Sequence, residues 1–387
     1  MDRHRFYRQM LPRSLFCWAH WGVVGFMLLL LPLWAKAEPA TEATTSWLTP
    51  VRESPYWVSR GVYQNMATIR TWVLNGSGFC ENPQRHVFYD RRGQFLGYVA
   101  NAQTRQATQQ LLNHTRLGYY QQGRADYWVP GTATEIGYPF ALSCEQPHVD
   151  MQAAIGRYLG EDPDALIWGS WDDLALGSEQ EPVSLHHALR AIHDIRSQQQ
   201  RIQLPAELPL YLAGKLLIES GAQTRAHSAA NARGIMQLSP EVLADCGISE
   251  RNHWHRMAQM DCALRLLNQN ARNLQAPFMA RFGALPQPKR DRLFTLLLLQ
   301  TYHGGAGRVI GLLADDELAR PAVYFSRHHA SYSAGDIAFG MVFHNLGRHR
   351  LGLASLYYIV DVEVAVTALC RQRSLVEDPL CSTGPHE

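Results

Sequence analysis

The stretch Leu208-Pro209-Leu210-Tyr211-Leu212-Ala213-Gly214-Lys215-Leu216-Leu217-Ile218-Glu219-Ser220 constrains this chain more than any other, because it is apolar on nearly every face. A helix of that kind belongs inside a core, so the fold must supply packing partners on all its sides. Its end breaks the pattern. A carboxylate at the tip of a buried helix is disfavoured in its charged form, which raises its affinity for a proton. A structural ion pair one turn back, to Lys215, is the rival use of Glu219.

The chain is long enough to build that core. Its 387 residues are 46% hydrophobic and 18% charged, which allows two domains and excludes wholesale disorder. The polar break at Pro205 to Pro209 is the expected domain boundary. Beyond it, helical signals cover 208–220, 240–246, 256–273, 290–302 and 353–370. Before it the reading is mixed. Residues 62–74 and 102–116 are helix-like, and His86 to Asp90 and Gln94 to Val99 flank Arg91-Arg92-Gly93 as a hairpin. Ser184 to Ile202 is a further helix with Ser184 as its cap.

The first residues obey another logic. Arg3, Arg5, Arg8 and Arg13 form a basic head, and no charged residue follows until Lys36. An apolar run then ends in Ala35-Lys36-Ala37, the form of a secretory signal with its cleavage site. The span is also long enough for an uncleaved inner-membrane anchor. Either way, the body of the protein is expected in the periplasm. Residues 1–37 form this leader, 38–55 a polar linker, 56–203 an N-terminal region without an assigned role, and 204–387 the helical domain.

Charge and cysteines agree with export. The leader holds five basic residues and one acidic one, so the remainder carries 31 Lys+Arg against 33 Asp+Glu. That near-neutral balance gives no sign of a nucleic-acid partner. Besides Cys17 in the leader there are six cysteines, Cys80, Cys144, Cys246, Cys262, Cys370 and Cys381. Fifteen pairings exist, and proximity in sequence favours Cys80–Cys144, Cys246–Cys262 and Cys370–Cys381. Zinc is the competing use, but neither a C-x-x-C pair nor metal-type histidine spacing supports it. No metal site or cofactor is expected. The histidines at 186–187, 253, 255 and 328–329 are expected to be solvated.

Glu219-Ser220 is followed by Ala232-Arg233-Gly234-Ile235-Met236-Gln237-Leu238, then Pro240-Glu241-Val242-Leu243, and much later by Tyr302-His303-Gly304-Gly305-Ala306-Gly307. This ordered series resembles the SLT-type lytic transglycosylases, peptidoglycan-cleaving relatives of goose-type lysozyme, from about Pro205 to Val309. The resemblance implies a mainly α protein whose C-terminal domain is lysozyme-like, preceded by the mixed α+β region. It implies Glu219 as the sole catalytic acid/base and Ser220 beside it. Met236, Gln237 and Tyr302 would line the saccharide groove, and Tyr358 is the candidate for a tyrosine from the final helix. Where the family carries Asn after the Tyr, this chain has His303, a group that can titrate near neutral pH.

Three functions follow as expectations. The first is a lytic transglycosylase, a lyase acting on peptidoglycan glycan strands, in the service of an envelope-spanning secretion or conjugation machinery. The second is a lysozyme-like hydrolase, which needs a second carboxylate, with Asp245, Asp261 and Glu241 as candidates. The third is a non-catalytic wall-binding scaffold. Met236 as core filler and Tyr358 as a packing aromatic are the plain alternatives for those residues.

Overall fold

The buried stretch at 208–220 is a helix, and elements from both halves of the sequence enclose it. The computed structural model describes residues 46–75, 80–145 and 150–382. The expected leader and the first part of the linker lie outside the described residues. The rest of the linker is not free chain. α1 (Leu48–Arg52) buries Pro50 and Val51, Trp47 packs edge-on against Phe140, and Arg52 Nε donates to Leu346 O at 2.6 Å. Two apolar side chains and one anchored guanidinium outweigh the polar composition around them.

α2 (Val62–Leu74) leads into β1 (Arg85–Tyr89) and β2 (Phe95–Ala100), the expected hairpin. Its turn is tied by Asp90 Oδ1, which accepts from the backbone N–H groups of Arg92 and Gln94 at 2.8 and 2.9 Å. α3 (Arg105–Gln121) follows, and β3 (Phe140–Ser143) then pairs with the free side of β1 to complete an antiparallel sheet ordered β2-β1-β3. The pleat sorts the residues of β1. Val87 and Tyr89 enter the main core, whereas Phe88 packs with Leu96, Leu112 and Tyr119 under α3.

α4 (Met151–Leu159) precedes the short hairpin of β4 (Gly169–Trp171) and β5 (Leu174–Leu176). α5 (Leu185–Gln198) is capped by Ser184, whose hydroxyl accepts from His187 N at 3.1 Å. α6 (Leu208–Ser220) is the central helix, and α7 (Pro240–Asp245) is a short one after the Gln237 segment. α8 (Arg256–Phe282) runs nine residues past its expected end and carries Pro277 within it, because Leu274, Phe278 and Phe282 continue its buried stripe. α9 (Gln287–Gly304), α10 (Ala306–Ala314), α11 (Arg320–Arg327), α12 (Ala334–Phe343) and α13 (Leu353–Cys370) follow, and a single turn, α14 (Pro379–Ser382), comes after them.

The protein is mainly helical with a small sheet. The break near Pro205 does not divide its core. One apolar cluster runs from Met66 on α2 through Leu189 on α5 and Leu212 on α6 to Val366 on α13. The described residues all belong to one compact unit. α6 and α13 approach most closely at Gly214, where an added Cβ would stand 2.6 Å from Val362 O. Only glycine permits that contact. The three expected disulfides, Cys80–Cys144, Cys246–Cys262 and Cys370–Cys381, are all formed.

Candidate active site

Every residue of α6 is buried except Ile218 and Glu219, so the carboxyl emerges where the helix leaves the core. Gly221 in the left-handed conformation ends the helix. Ser220 does not point outward with its neighbour. Its buried hydroxyl donates to Leu216 O at 3.0 Å and Ile235 O at 2.8 Å, and accepts from Ala222 N at 3.2 Å. Ser220 thereby ties the helix end to the Met236-Gln237 segment.

That segment is a tight loop held from within. Gly234 N donates to Ala226 O, and Arg233 and Leu238 exchange backbone bonds. Gly234 has φ +70°, and a Cβ there would collide with the Gln259 amide at 1.9 Å. Gln259 is fully buried. Its Oε1 accepts from Met236 N at 2.9 Å, and its Nε2 donates to His253 O. Sequence reading missed Gln259; its signal was a lone amide inside the apolar start of α8. His253, expected in solvent, is buried, with Nδ1 2.6 Å from Arg233 Nη1. Fixing Arg233 against α8 outweighs the imidazole's hydration.

The Met236 side chain is core, with no exposed surface. What it brings to the site is its backbone oxygen. Tyr302 OH donates to that oxygen at 2.9 Å, and so does Lys215 Nζ. Lys215 has no solvent contact, and its ammonium stands 3.9 Å from the centre of the Tyr302 ring. Burial pushes Lys215 down to about 8, against the opposing pull of Glu219. No salt bridge joins Lys215 to Glu219 among the described residues, so the simple ion-pair reading gives way to a carbonyl and a ring as the cation's partners. Gln237 adopts φ +48° and keeps it through its own side chain. Its Nε2 donates to Ala226 O at 3.1 Å and Gly234 O at 2.9 Å.

Tyr302 and His303 come from the end of α9, where Gly305 turns the chain into α10. Tyr358 comes from α13, and its ring stacks on His303 with centroids 4.6 Å apart. The Tyr358 hydroxyl is buried and interacts with the Glu219 carboxyl. Burial, then the Glu219 charge, holds both Tyr302 and Tyr358 well above the ordinary phenol range. They are therefore proton donors in hydrogen bonds at any ordinary pH. Desolvation of its packed side lowers His303 below the usual imidazole value, opposed by Glu219 and aided by Arg308 and Lys215. Lys215, Tyr302, His303 and Tyr358 thus surround Glu219 from three helices.

The register of α13 is set from the N-terminal half. Arg70 on α2 makes a two-pronged bond to Asp361, at 2.5 and 2.8 Å, and lies over the Tyr357 ring at 5.1 Å. Tyr357 in turn meets the Tyr89 hydroxyl of β1. Tyr358 is the next residue along, so this buried network fixes its approach to Glu219. The charged residues themselves are scattered in sequence and carry no motif.

The candidate second carboxylates differ in their surroundings. Asp261 is buried and bonded to Arg196 at 2.7 Å and Arg265 at 3.2 Å. Glu241 and Asp245 are exposed on α7. Cavities of about 500 Å³, beside Trp72 and Glu363, and about 380 Å³, beside Tyr324, open on other faces, and Glu219 lines neither. The searches against protein families and curated proteins find no match to this chain.

Proposed function

We propose that this protein is a peptidoglycan lytic transglycosylase that cleaves the bond between N-acetylmuramic acid and N-acetylglucosamine with Glu219 as its acid/base. The supporting observation is the position of Glu219 at the tip of a buried helix, with Tyr302, His303 and Tyr358 brought to it from α9 and α13. The three disulfides suit an oxidising compartment outside the cytoplasm, where such a substrate lies.

In this reading the Glu219 carboxyl protonates the leaving glycosidic oxygen, and the substrate's acetamide stabilises the developing cation. The resulting carboxylate then takes the proton of the C6 hydroxyl, whose oxygen closes a 1,6-anhydro ring on the same sugar. Tethering gives that hydroxyl an entropic advantage over water. Tyr358 steadies the carboxylate between the two proton transfers. Asp261, one of the hydrolase candidates, is committed to Arg196. An envelope-spanning secretion or conjugation machinery is the proposed setting.

Digestion of purified sacculi, with mass spectrometry of the fragments, tests the assignment. Muropeptides ending in anhydro-muramic acid, one water lighter than hydrolytic products, are expected. Fragments with reducing ends would move the protein to the lysozyme-like hydrolases, and intact sacculi would leave the scaffold reading.

A further inference from the structure

The β4–β5 hairpin is held in place with unusual effort for a surface hairpin of this size. Arg196, itself buried, reaches Asp173 at 2.5 Å and Asp172 at 3.3 Å in the hairpin turn, and Asp261 on α8 at 2.7 Å. Arg256, at the start of α8, donates to Ala165 O at 2.7 Å and Leu166 O at 2.8 Å in the approach to β4. A buried guanidinium is costly unless fully paired, and these bonds pair it across three elements. The outcome is a rigid seat for one side chain. Trp171 at the end of β4 packs against His255, with ring centroids 5.3 Å apart.

A second ring pair involves the preceding residue. His255 caps α8, and burial together with Arg256 lowers its affinity for a proton. Trp254 precedes it and is half-buried, and the exposed His227 meets Trp254 edge-on at 6.2 Å. Asn231 fixes the His227 ring at 2.9 Å. His227 adjoins Ala226, whose carbonyl holds the Gln237 amide. Two ring pairs, with Arg233 and Arg256 beside them, therefore link the loop of the Gln237 segment to the hairpin.

We propose that His227, Trp254, His255 and Trp171 form a saccharide-binding track that carries a β-1,4-linked N-acetylhexosamine strand toward Glu219. The inference rests on the proposed function for the direction of the strand. Pyranose rings present flat faces of C–H groups, which pack on the faces of Trp and His rings; the Trp171 N–H is itself buried, so that ring contributes through packing. The bonds of Arg196 and Arg256 hold the hairpin and the start of α8 in place, so little conformational freedom is lost when a strand binds. The track also assigns a task to the 169–176 hairpin of the N-terminal half.

Intrinsic fluorescence titration of the full-length Glu219→Gln protein with the hexamer and the dimer of β-1,4-linked N-acetylglucosamine tests this without relying on cleavage. We expect saturable binding of the hexamer, weakened about tenfold by Trp254→Ala and largely restored by Trp254→Phe. The dimer should bind weakly and show no such difference. Trp57→Ala, which alters an exposed ring on another face, should leave hexamer binding unchanged. Equal hexamer affinity with and without Trp254, or no hexamer binding at all, overturns the track. Ring-dependent hexamer binding by a protein whose Glu219 form leaves sacculi intact would uphold the track and remove the transglycosylase assignment.

Discussion

Lys215 and Tyr302 donate to one and the same acceptor, the backbone oxygen of Met236. The shared oxygen couples the central helix α6, the end of α9 and the loop after Glu219. It also means that neither donor is indispensable to the loop, since either one alone leaves the carbonyl satisfied.

Tyr302→Phe should therefore fold normally and lose about 1 kcal/mol, the usual net worth of one hydrogen bond. Tyr358→Phe should behave differently. Its hydroxyl is buried without a full partner, so its removal should leave stability unchanged or slightly higher. Its activity on sacculi should nevertheless fall by about tenfold or more, because the group facing Glu219 is gone. Thermal unfolding and sacculus clearance measured on both variants separate the two roles; equal losses in both assays would show the two hydroxyls to be equivalent.

Glu219→Gln keeps the shape of the side chain and removes its proton chemistry. The fold should persist, and clearance should drop by about 10²- to 10⁴-fold. A well-folded variant that still clears the wall would refute Glu219 as the acid.

Lys215 makes stability depend on alkaline pH. Its folded-state value of about 8 lies below the 10.5 of a free lysine. Between these values the unfolded chain binds more protons than the folded one, so this group's contribution to stability rises with pH. Below about pH 8 the cost of its buried charge is felt in full. The stability difference between wild type and Lys215→Met should therefore shift in favour of wild type between about pH 7 and about pH 10, by up to about 3 kcal/mol. Urea midpoints at both ends of that range check it; a difference that does not change with pH would show that Lys215 keeps its proton in the folded protein as firmly as in the unfolded chain.

The disulfide joining Cys246 to Cys262 closes a loop of 16 residues between α7 and α8. Replacing both by Ser should cost about 3 kcal/mol. The oxidised protein should offer no reactive thiol at the six cysteines beyond Cys17. Labelling of all six in the non-reduced protein would contradict both the pairing and the compartment.

Elements with a local signal were legible in the sequence. α2, α6 and α13 begin and end where their apolar patterns do. The β1–β2 hairpin follows from Asp90 and Gly93 at its turn. The cysteine pairs were legible because each closes its nearest loop. β3 was not, because its four residues become a strand only by completing the edge of β1. α8 was read short, since Pro277 signals an end that packing of Phe278 and Phe282 overrides.

The same division holds at the site. The sequence by itself determined that α6 is a core helix and that its last turn presents a carboxyl, because amphipathic pattern and residue type are local properties. Only the tertiary structure decided what Glu219 meets. It brought Tyr358 to the carboxyl, turned Lys215 onto a carbonyl instead of the acid, and locked Asp261 to Arg196. It also turned the Ser220 hydroxyl inward and left Met236 only its backbone oxygen to contribute. Those outcomes depend on which helix faces which, and on buried polar groups finding partners far along the chain. Such partners are set by packing in three dimensions, and spacing along one strand of sequence does not encode them.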